Sequence, residues 1–367
     1  MQNIMKNAGP SKVLAVFLGL AAPLSPSQVV AQSSFWVTLS GDGTVLKVDL
    51  QDGFKKTTKA TGLNMSWGCD FDPHGNFCVS DTGHGDILRI QPDGSRSTIA
   101  TGLSSPSGLA IDKGDPYQLL DLFVAEYGSG CFQERKYIQV DQHTWIKVGC
   151  GFDGPVSVRE AAASRIRREL DRLDLLLTYR GGSPGGVVLV SRAPDGTWTH
   201  RQTVASDLSY AYDAITDPSG NLFVSEAGRG RILKYPAAAD GLFSTNPVVF
   251  VSGFSPVGLA FDYEGSLYAA DYGGTIKRFL FRNGTLGTNA VSIVTGLNAL
   301  SYLAFPPPPI ARIRRAGSNI VLAWPDALYN LQAGTAVTGP FTNLPAATSP
   351  FTNAAGGRAQ FFRLGSK

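Results

Sequence analysis

Two stretches of this chain read almost alike: GNFCVSDTGHGDILRI at 75–90 and GNLFVSEAGRGRILKY at 220–235. Such a copy constrains the fold strongly, because a repeated strand-rich unit buries its faces by stacking on its relatives. DLFVAEYGSG (121–130), DLLLTYRGGSPGGVVLV (174–190) and SLYAADYGGTIKRF (266–279) extend the series. A second short apolar run precedes each member. These runs are WGCDFD (67–72), SGLAID (107–112), YDAITD (212–217) and VGLAFD (257–262), with weaker forms at GPVSVR (154–159) and LSYLAF (300–305). After every pair but the last, another strand ends near Gly-Leu or its equivalent, as in STIATGL and SIVTGL.

The unit is therefore strand A (GLA-apolar-D), a turn that often reads D-P-x-G-N, strand B (LFVSE), a loop, strand C (RILKY) and strand D. It repeats every 40–50 residues or so, the period of propeller blades. Charged residues are only 17%, with 42 Gly and 22 Pro, a composition suited to short strands and tight turns. A four-stranded blade cannot bury both faces alone, and stacking around an axis does so. Before the first strand A, FWVTLSGDGTVLKVDLQDG (35–53) and TTKATGL (57–63) supply strands B, C and D, while LSYLAF has none after it. One blade is thus split between the chain ends, which removes an open sheet edge. The expected fold is all-β: a six-bladed β-propeller, TolB-like, within residues 32–306, followed by a small C-terminal β domain.

In blade 3, REAAASRIRRELDRLD (159–174) separates strands A and B. Ile166, Leu170 and Leu173 fall at helical spacing, so a short amphipathic helix is expected on the face opposite the B–C loops. PPPP (306–309) gives a stiff proline linker at 307–309. Residues 310–367 read as four or five short strands, a module near the size at which independent stability is marginal.

Residues 1–31 read as a secretory signal peptide. Lys6 and Lys12 precede the apolar run VLAVFLGLAAPL (13–24), and Val29 and Ala31 are the small residues before a cut. No other stretch is long and apolar enough to span a membrane, so the mature chain is expected to be exported: periplasmic, secreted or envelope-associated. Removing Lys6 and Lys12 leaves 30 basic against 29 acidic residues, a net charge of +1. That balance gives no electrostatic capture of nucleic acid. A monomer is expected. Export permits disulfides. The four cysteines, Cys69, Cys78, Cys131 and Cys150, lack zinc-like spacing. They are expected to form two local structural bridges, Cys69–Cys78 across a hairpin and Cys131–Cys150.

The blade text resembles known families. VSDTGHGDILRI and VSEAGRGRILKY are similar to the NHL repeat. SPVGLAFDYEGSLYAADYGGTIKRF resembles the senescence marker protein, regucalcin and gluconolactonase family. The pattern GSNIVLAWP…YNLQAGT…FFRL resembles a C-terminal β module of exported proteins from Verrucomicrobia and related bacteria, implying a bacterial exported protein and a role in sorting or attachment. The lactonase resemblance implies a divalent cation, usually calcium, over the central channel, held by a Glu, by Asn residues and by an Asp. Here Val257 and Ser107 stand where that family has the asparagine of PNG, and the early Glu falls near Trp67. Asp213 alone is an acid near the top of strand A. The resemblance therefore implies a lactonase-type hydrolase with a divergent site, Asp213 and Glu226 being its catalytic candidates.

The residues themselves add an acid ring at the ends of the B strands: Asp81, Glu126, Glu226 and Asp271. Tyr179 and Leu39 take that place in the other two blades. With Asp213 these carboxylates are candidate ligands for a hard cation such as calcium. Alternatively, each accepts N–H groups of its own loop at Gly83, Gly128, Gly228 or Gly273, or pairs with a strand-C base such as Arg89, Lys234 or Arg278. His84, beside Asp81, is a candidate general base; His74, His143 and His200 share no motif. Trp67, Tyr127, Tyr179, Tyr212 and Tyr272, with Tyr302, gather by register at the same end and suit a small polar ligand. The functional expectations are a hydrolase, a propeller binding a small molecule or partner protein at the B–C loop face, or an envelope scaffold.

Overall fold

The A, B, C and D strands pair antiparallel in chain order into six four-stranded sheets. The structure, a computed structural model, describes residues 4–7, 13–16, 33–112, 121–136, 145–161, 173–180, 184–308, 311–317, 319–325, 328–335, 340–354 and 361–366. The A strands are Ser66–Phe71, Pro106–Ile111, Pro155–Glu160, Ala211–Thr216, Pro256–Phe261 and Leu300–Ala304, in blades 1 to 6. Each touches the next, and that of blade 6 touches that of blade 1, so the sheets close a ring. Blade 6 is the split one: Leu300–Ala304 pairs with Ser34–Leu39, which continues to Thr44–Asp49 and Lys56–Ala60.

Packing explains the closure. Six apolar clusters each join neighbouring blades. Trp36 with Phe71 and Phe77 joins blades 6 and 1, and Phe223 with Leu259 and Phe279 joins blades 4 and 5. The Gly of the strand-A motif permits close approach at the axis. A Cβ on Gly68 would lie 2.3 Å from the Ser107 carbonyl of blade 2, and one on Gly258 would lie 2.7 Å from the Ser301 carbonyl of blade 6. No side chain fits there. The hydroxyl in VSD, VSE and VTL ties adjacent blades: Ser225 Oγ donates to the Val257 carbonyl at 2.7 Å, and Thr38 Oγ1 to that of Trp67 at 2.6 Å.

The A–B turns follow from their residues. Asp72 accepts from the Asn76 backbone and side-chain amides, both at 2.8 Å, around Gly75 at φ +93°. Asp217, Gly220 and Asn221 repeat this turn in blade 4.

Cys131 and Cys150 face each other across strands C and D of blade 2 and are bridged. The expected Cys69–Cys78 bridge is corrected: both remain buried thiols. Cys69 pairs with Val79, and Cys78 with Asp70. That one-residue offset sends the two side chains to opposite faces of the sheet. Cys69 joins the core between blades 6 and 1, and Cys78 the core between blades 1 and 2. Of the helix expected at 159–174, Arg159 and Glu160 are strand A, and Leu173 and Asp174 are strand B; residues 162–172 lie outside the described residues.

The C-terminal module has two three-stranded sheets. Arg312–Ala316, Asn319–Ala323 and Phe351–Ala354 form one; Tyr329–Gly334, Thr342–Asn343 and Phe361–Ser366 form the other. Ile320, Leu322, Trp324, Leu331, Phe362 and Leu364 fill its own core. It abuts the propeller at the A–B turn of blade 1, where Leu328 lies against Gly75. Ahead of the ring, Ile4–Asn7 pairs with Val13–Val16.

Candidate functional site

The strand-B acids turn to the loop that feeds strand A of their own blade. Asp81 accepts the Asn64 N–H at 2.8 Å, Glu126 that of Ser104 at 3.3 Å, and Glu226 that of Ser209 at 2.9 Å. The next residue in each loop, Met65, Ser105 or Tyr210, has a left-handed backbone, at φ +58°, +49° and +52°. A side chain makes that conformation costly, so it must be held in place. Asp271 is a variant: it accepts from Ser255 N at 3.3 Å and from Gly273 N at 3.2 Å. Of the four glycines expected to serve the acids, Gly273 alone does so. Gly83, Gly128 and Gly228 donate to the carbonyls of Asn64, Ser104 and Ser209.

The remaining oxygens of Asp81, Glu126 and Glu226 have local partners. His84 Nδ1 lies 2.9 Å from Asp81, whose hydrogen bond and charge raise the histidine pKa. Glu126 accepts from Ser129 Oγ at 2.6 Å and from Gln133. Glu226, fully buried, pairs with Arg229 at 2.7 Å and with strand-C Arg231 at 2.6 Å. Arg231, rather than the expected Lys234, is thus the strand-C base of blade 4. Among the described residues, no three His, Cys, Asp or Glu side chains converge as a metal site would require.

Asp213 lies at the axis and is fully buried. It stands in the Gly position of strand A and reaches the neighbouring strands. Its Oδ1 accepts from Ser157 Oγ at 2.6 Å, Arg159 Nε at 3.0 Å and its neighbour Ala214 N at 3.0 Å. Its Oδ2 accepts from Arg159 Nη2 and Leu259 N, both at 3.0 Å. Burial works to lower the Arg159 pKa, but Asp213 outweighs it and the guanidinium is held above its ordinary value. Arg159 also donates to the Cys69 carbonyl of blade 1 at 3.3 Å and stacks on Tyr302 of blade 6 at 5.4 Å. The Tyr302 hydroxyl donates to carbonyls of blades 3 and 4, at Val156 and Tyr212. Side chains from three blades, with backbone groups of two more, thus fill the channel.

The aromatic candidates separate into two groups. Trp67 and Tyr212 meet across the ring with centroids 5.9 Å apart, and Trp67 and Tyr302 lie 6.4 Å apart. Arg180, at the end of strand B in blade 3, stacks over Tyr127 at 5.4 Å, Tyr210 at 5.4 Å and Tyr212 at 5.6 Å. It also donates to the hydroxyls of Tyr212 and Tyr127, at 3.1 and 3.2 Å. Tyr179 instead packs on Phe152 in the core between blades 2 and 3, where burial raises its pKa. Tyr272 is 52% exposed. Sequence reasoning missed Arg159, Arg180 and Tyr210. A groove of about 410 Å³ at the rim of blade 6, bounded by Asp42, Lys56 and Asn298 among others, contains none of the candidates.

No sequence-family profile matches the chain, and no curated protein matches it in sequence. Solved structures do match. A nidogen/laminin complex aligns at TM-score 0.59 and 16% identity, over 75% of this chain and 98% of that one. A gluconolactonase of Xanthomonas campestris aligns at 0.52 and 13%, over 94% and 99%. A calcium-binding protein, regucalcin, of Agrobacterium tumefaciens aligns at 0.51 and 15%, over 72% and 83%. These likenesses show the fold. The chain is a propeller of the kind that gluconolactonases and regucalcin share. Among the described residues no helix is long and apolar enough to cross a membrane.

Proposed function

We propose that this is an exported propeller that binds a small polar molecule at the B–C loop face without metal chemistry. The observation that carries the reading is the channel mouth. There Tyr127, Tyr210 and Tyr212 surround Arg180 and Trp67 packs on Tyr212, with Tyr127 43% and Tyr210 46% exposed. Aromatic walls with a few convergent polar groups are the ordinary make-up of a small-molecule site. The leader-like residues 1–31 and the Cys131–Cys150 bridge support export. Attachment to the envelope is the role proposed for the module at 310–367.

The gluconolactonase neighbour raises the hydrolase reading, and the calcium-binding neighbour raises the cation. The donor set here does not fit a divalent cation. Both oxygens of Asp213 are engaged, and the guanidinium beside them already supplies the counter-charge. Glu226 likewise faces two arginines. A calcium ion needs several uncommitted oxygens and is repelled by these cations.

The test is lactone hydrolysis by residues 32–367 with added calcium, beside Asp213→Asn. The reading expects no turnover above buffer from either protein. Calcium-dependent turnover that disappears in Asp213→Asn would overturn it in favour of the hydrolase.

A further inference from the structure

Resting on the reading of the mouth as a ligand site, we infer that its ligand carries a carboxylate, seated by Arg180 beside Trp67. Arg180 donates to two phenolic oxygens and, among the described residues, pairs with no acid. A guanidinium has further N–H donors in a planar fork. Burial works to lower its pKa, while Tyr212 and Tyr127 hold it above the ordinary value, so its charge persists. The nearby charges are spent elsewhere. Arg159 is neutralised by Asp213, and Glu126, next to Tyr127, turns to Ser104, Ser129 and Gln133.

Trp67 is the independent observation. Its indole Nε1 is buried and has no acceptor. A buried donor without an acceptor is rare and costly, so its signal reports sensitively on changes at the mouth. Trp67 and Arg180 flank the same ring, Tyr212.

One guanidinium with donors to spare suits a singly charged carboxylate, which the planar fork can grip. A doubly charged phosphate asks for more positive charge than this mouth supplies. The exposed faces of Tyr127 and Tyr210 offer flat apolar walls to the rest of the ligand. The ligand class is a small monocarboxylate with an apolar or aromatic body.

The test uses residues 32–367 with ¹⁵N-labelled tryptophan, the Trp67 indole signal being assigned with Trp67→Phe. The probes are benzoate, neutral benzamide, inorganic phosphate and the benzyltrimethylammonium cation, each titrated into the millimolar range. The inference expects benzoate to move the Trp67 signal saturably. Benzamide should bind roughly tenfold more weakly or worse, since it lacks the charge. Arg180→Gln should weaken benzoate by a similar factor, with the other indole signals unmoved as evidence of an intact fold. Arg180→Lys, which keeps the charge but loses the fork, should also weaken it. Benzamide or the cation matching benzoate, or full binding in Arg180→Lys, would overturn the carboxylate while leaving the mouth a ligand site. Phosphate binding without benzoate would assign a different anion and overturn the inference likewise. If no probe moves the signal, the site reading falls as well.

Discussion

Blades 3 and 4 make the same corner by different means. In both, the first amide after strand B donates to the residue just before strand A: Arg180 N to the Gly154 carbonyl at 2.8 Å, and Ala227 N to that of Tyr210 at 3.1 Å. That residue is left-handed in both, at φ +61° for Gly154 and +52° for Tyr210. Glycine adopts this conformation freely, whereas tyrosine does not. Blade 4 compensates with Glu226, which pins the preceding N–H. Blade 3 has Tyr179 in that place and needs no acid. Blades 1 and 2 follow blade 4, with Asp81 holding the loop at Met65 and Glu126 that at Ser105. In blades 1, 2 and 4 the acid accompanies a side chain at a position that favours glycine; blade 6 holds Ala299 there at φ +46° with Leu39 in the acid's place, and in blade 5 Asp271 braces Ser255, which is not left-handed.

The largest expected effect lies at the axis, where an acid in the Gly slot does something else. Arg159→Ala leaves Asp213 buried without its counter-ion and should cost about 3–5 kcal/mol in denaturant unfolding. Arg159→Met with Asp213→Leu should recover much of that loss. A single-variant cost below about 0.5 kcal/mol would show that the pair is not what closes the channel.

The corner comparison comes next. Glu226→Gln should cost about 1.5–3 kcal/mol, the range for losing hydrogen bonds to a charged group. In the Tyr210→Gly background the same substitution should cost roughly 1 kcal/mol less, because the strain it guards against has gone. Equal costs in both backgrounds would uncouple the acid from the corner. Gly154→Ala is the reciprocal change, expected to cost about 1–2 kcal/mol. The added Cβ would also sit 2.8 Å from the Tyr127 ring.

The smallest effect is at His84. Its pKa is raised above the ordinary 6.5, first by the hydrogen bond and then by the charge of Asp81. The folded state therefore binds the proton more tightly than the unfolded chain. Its stabilising contribution is complete below 6.5 and is lost as pH rises through the folded value. An NMR titration should place His84 above 6.5, and Asp81→Asn should return it to the ordinary range. An unchanged titration would remove Asp81 from that role.

The repeat made the blades, their order and the split blade legible, since each blade's strands lie in sequence with recognisable turns. The Cys69–Cys78 pairing was misjudged because flanking a turn does not fix register parity, and one residue decides the face. The axis was harder to read because its partners come from different blades: Arg159 meets Asp213, Cys69 and Tyr302. A signal was nonetheless present. Asp213 and Tyr302 occupy a column that is glycine at 68, 108 and 258. Arg159 stands where blades 2, 5 and 6 have alanine at 110, 260 and 304. Departures from the repeat mark the axis, while the most regular feature, the acid ring, falls on corner geometry.

The most direct test of the claim that these acids brace loops is made on residues 32–367 purified without chelator. Bound metal is measured, and the thermal midpoint is recorded before and after chelation and again with added calcium. The account predicts no stoichiometric divalent cation and an unmoved midpoint. About one bound cation per chain, with a midpoint that falls on chelation and returns with calcium, would contradict it, because a ligand held by the native state alone must stabilise that state.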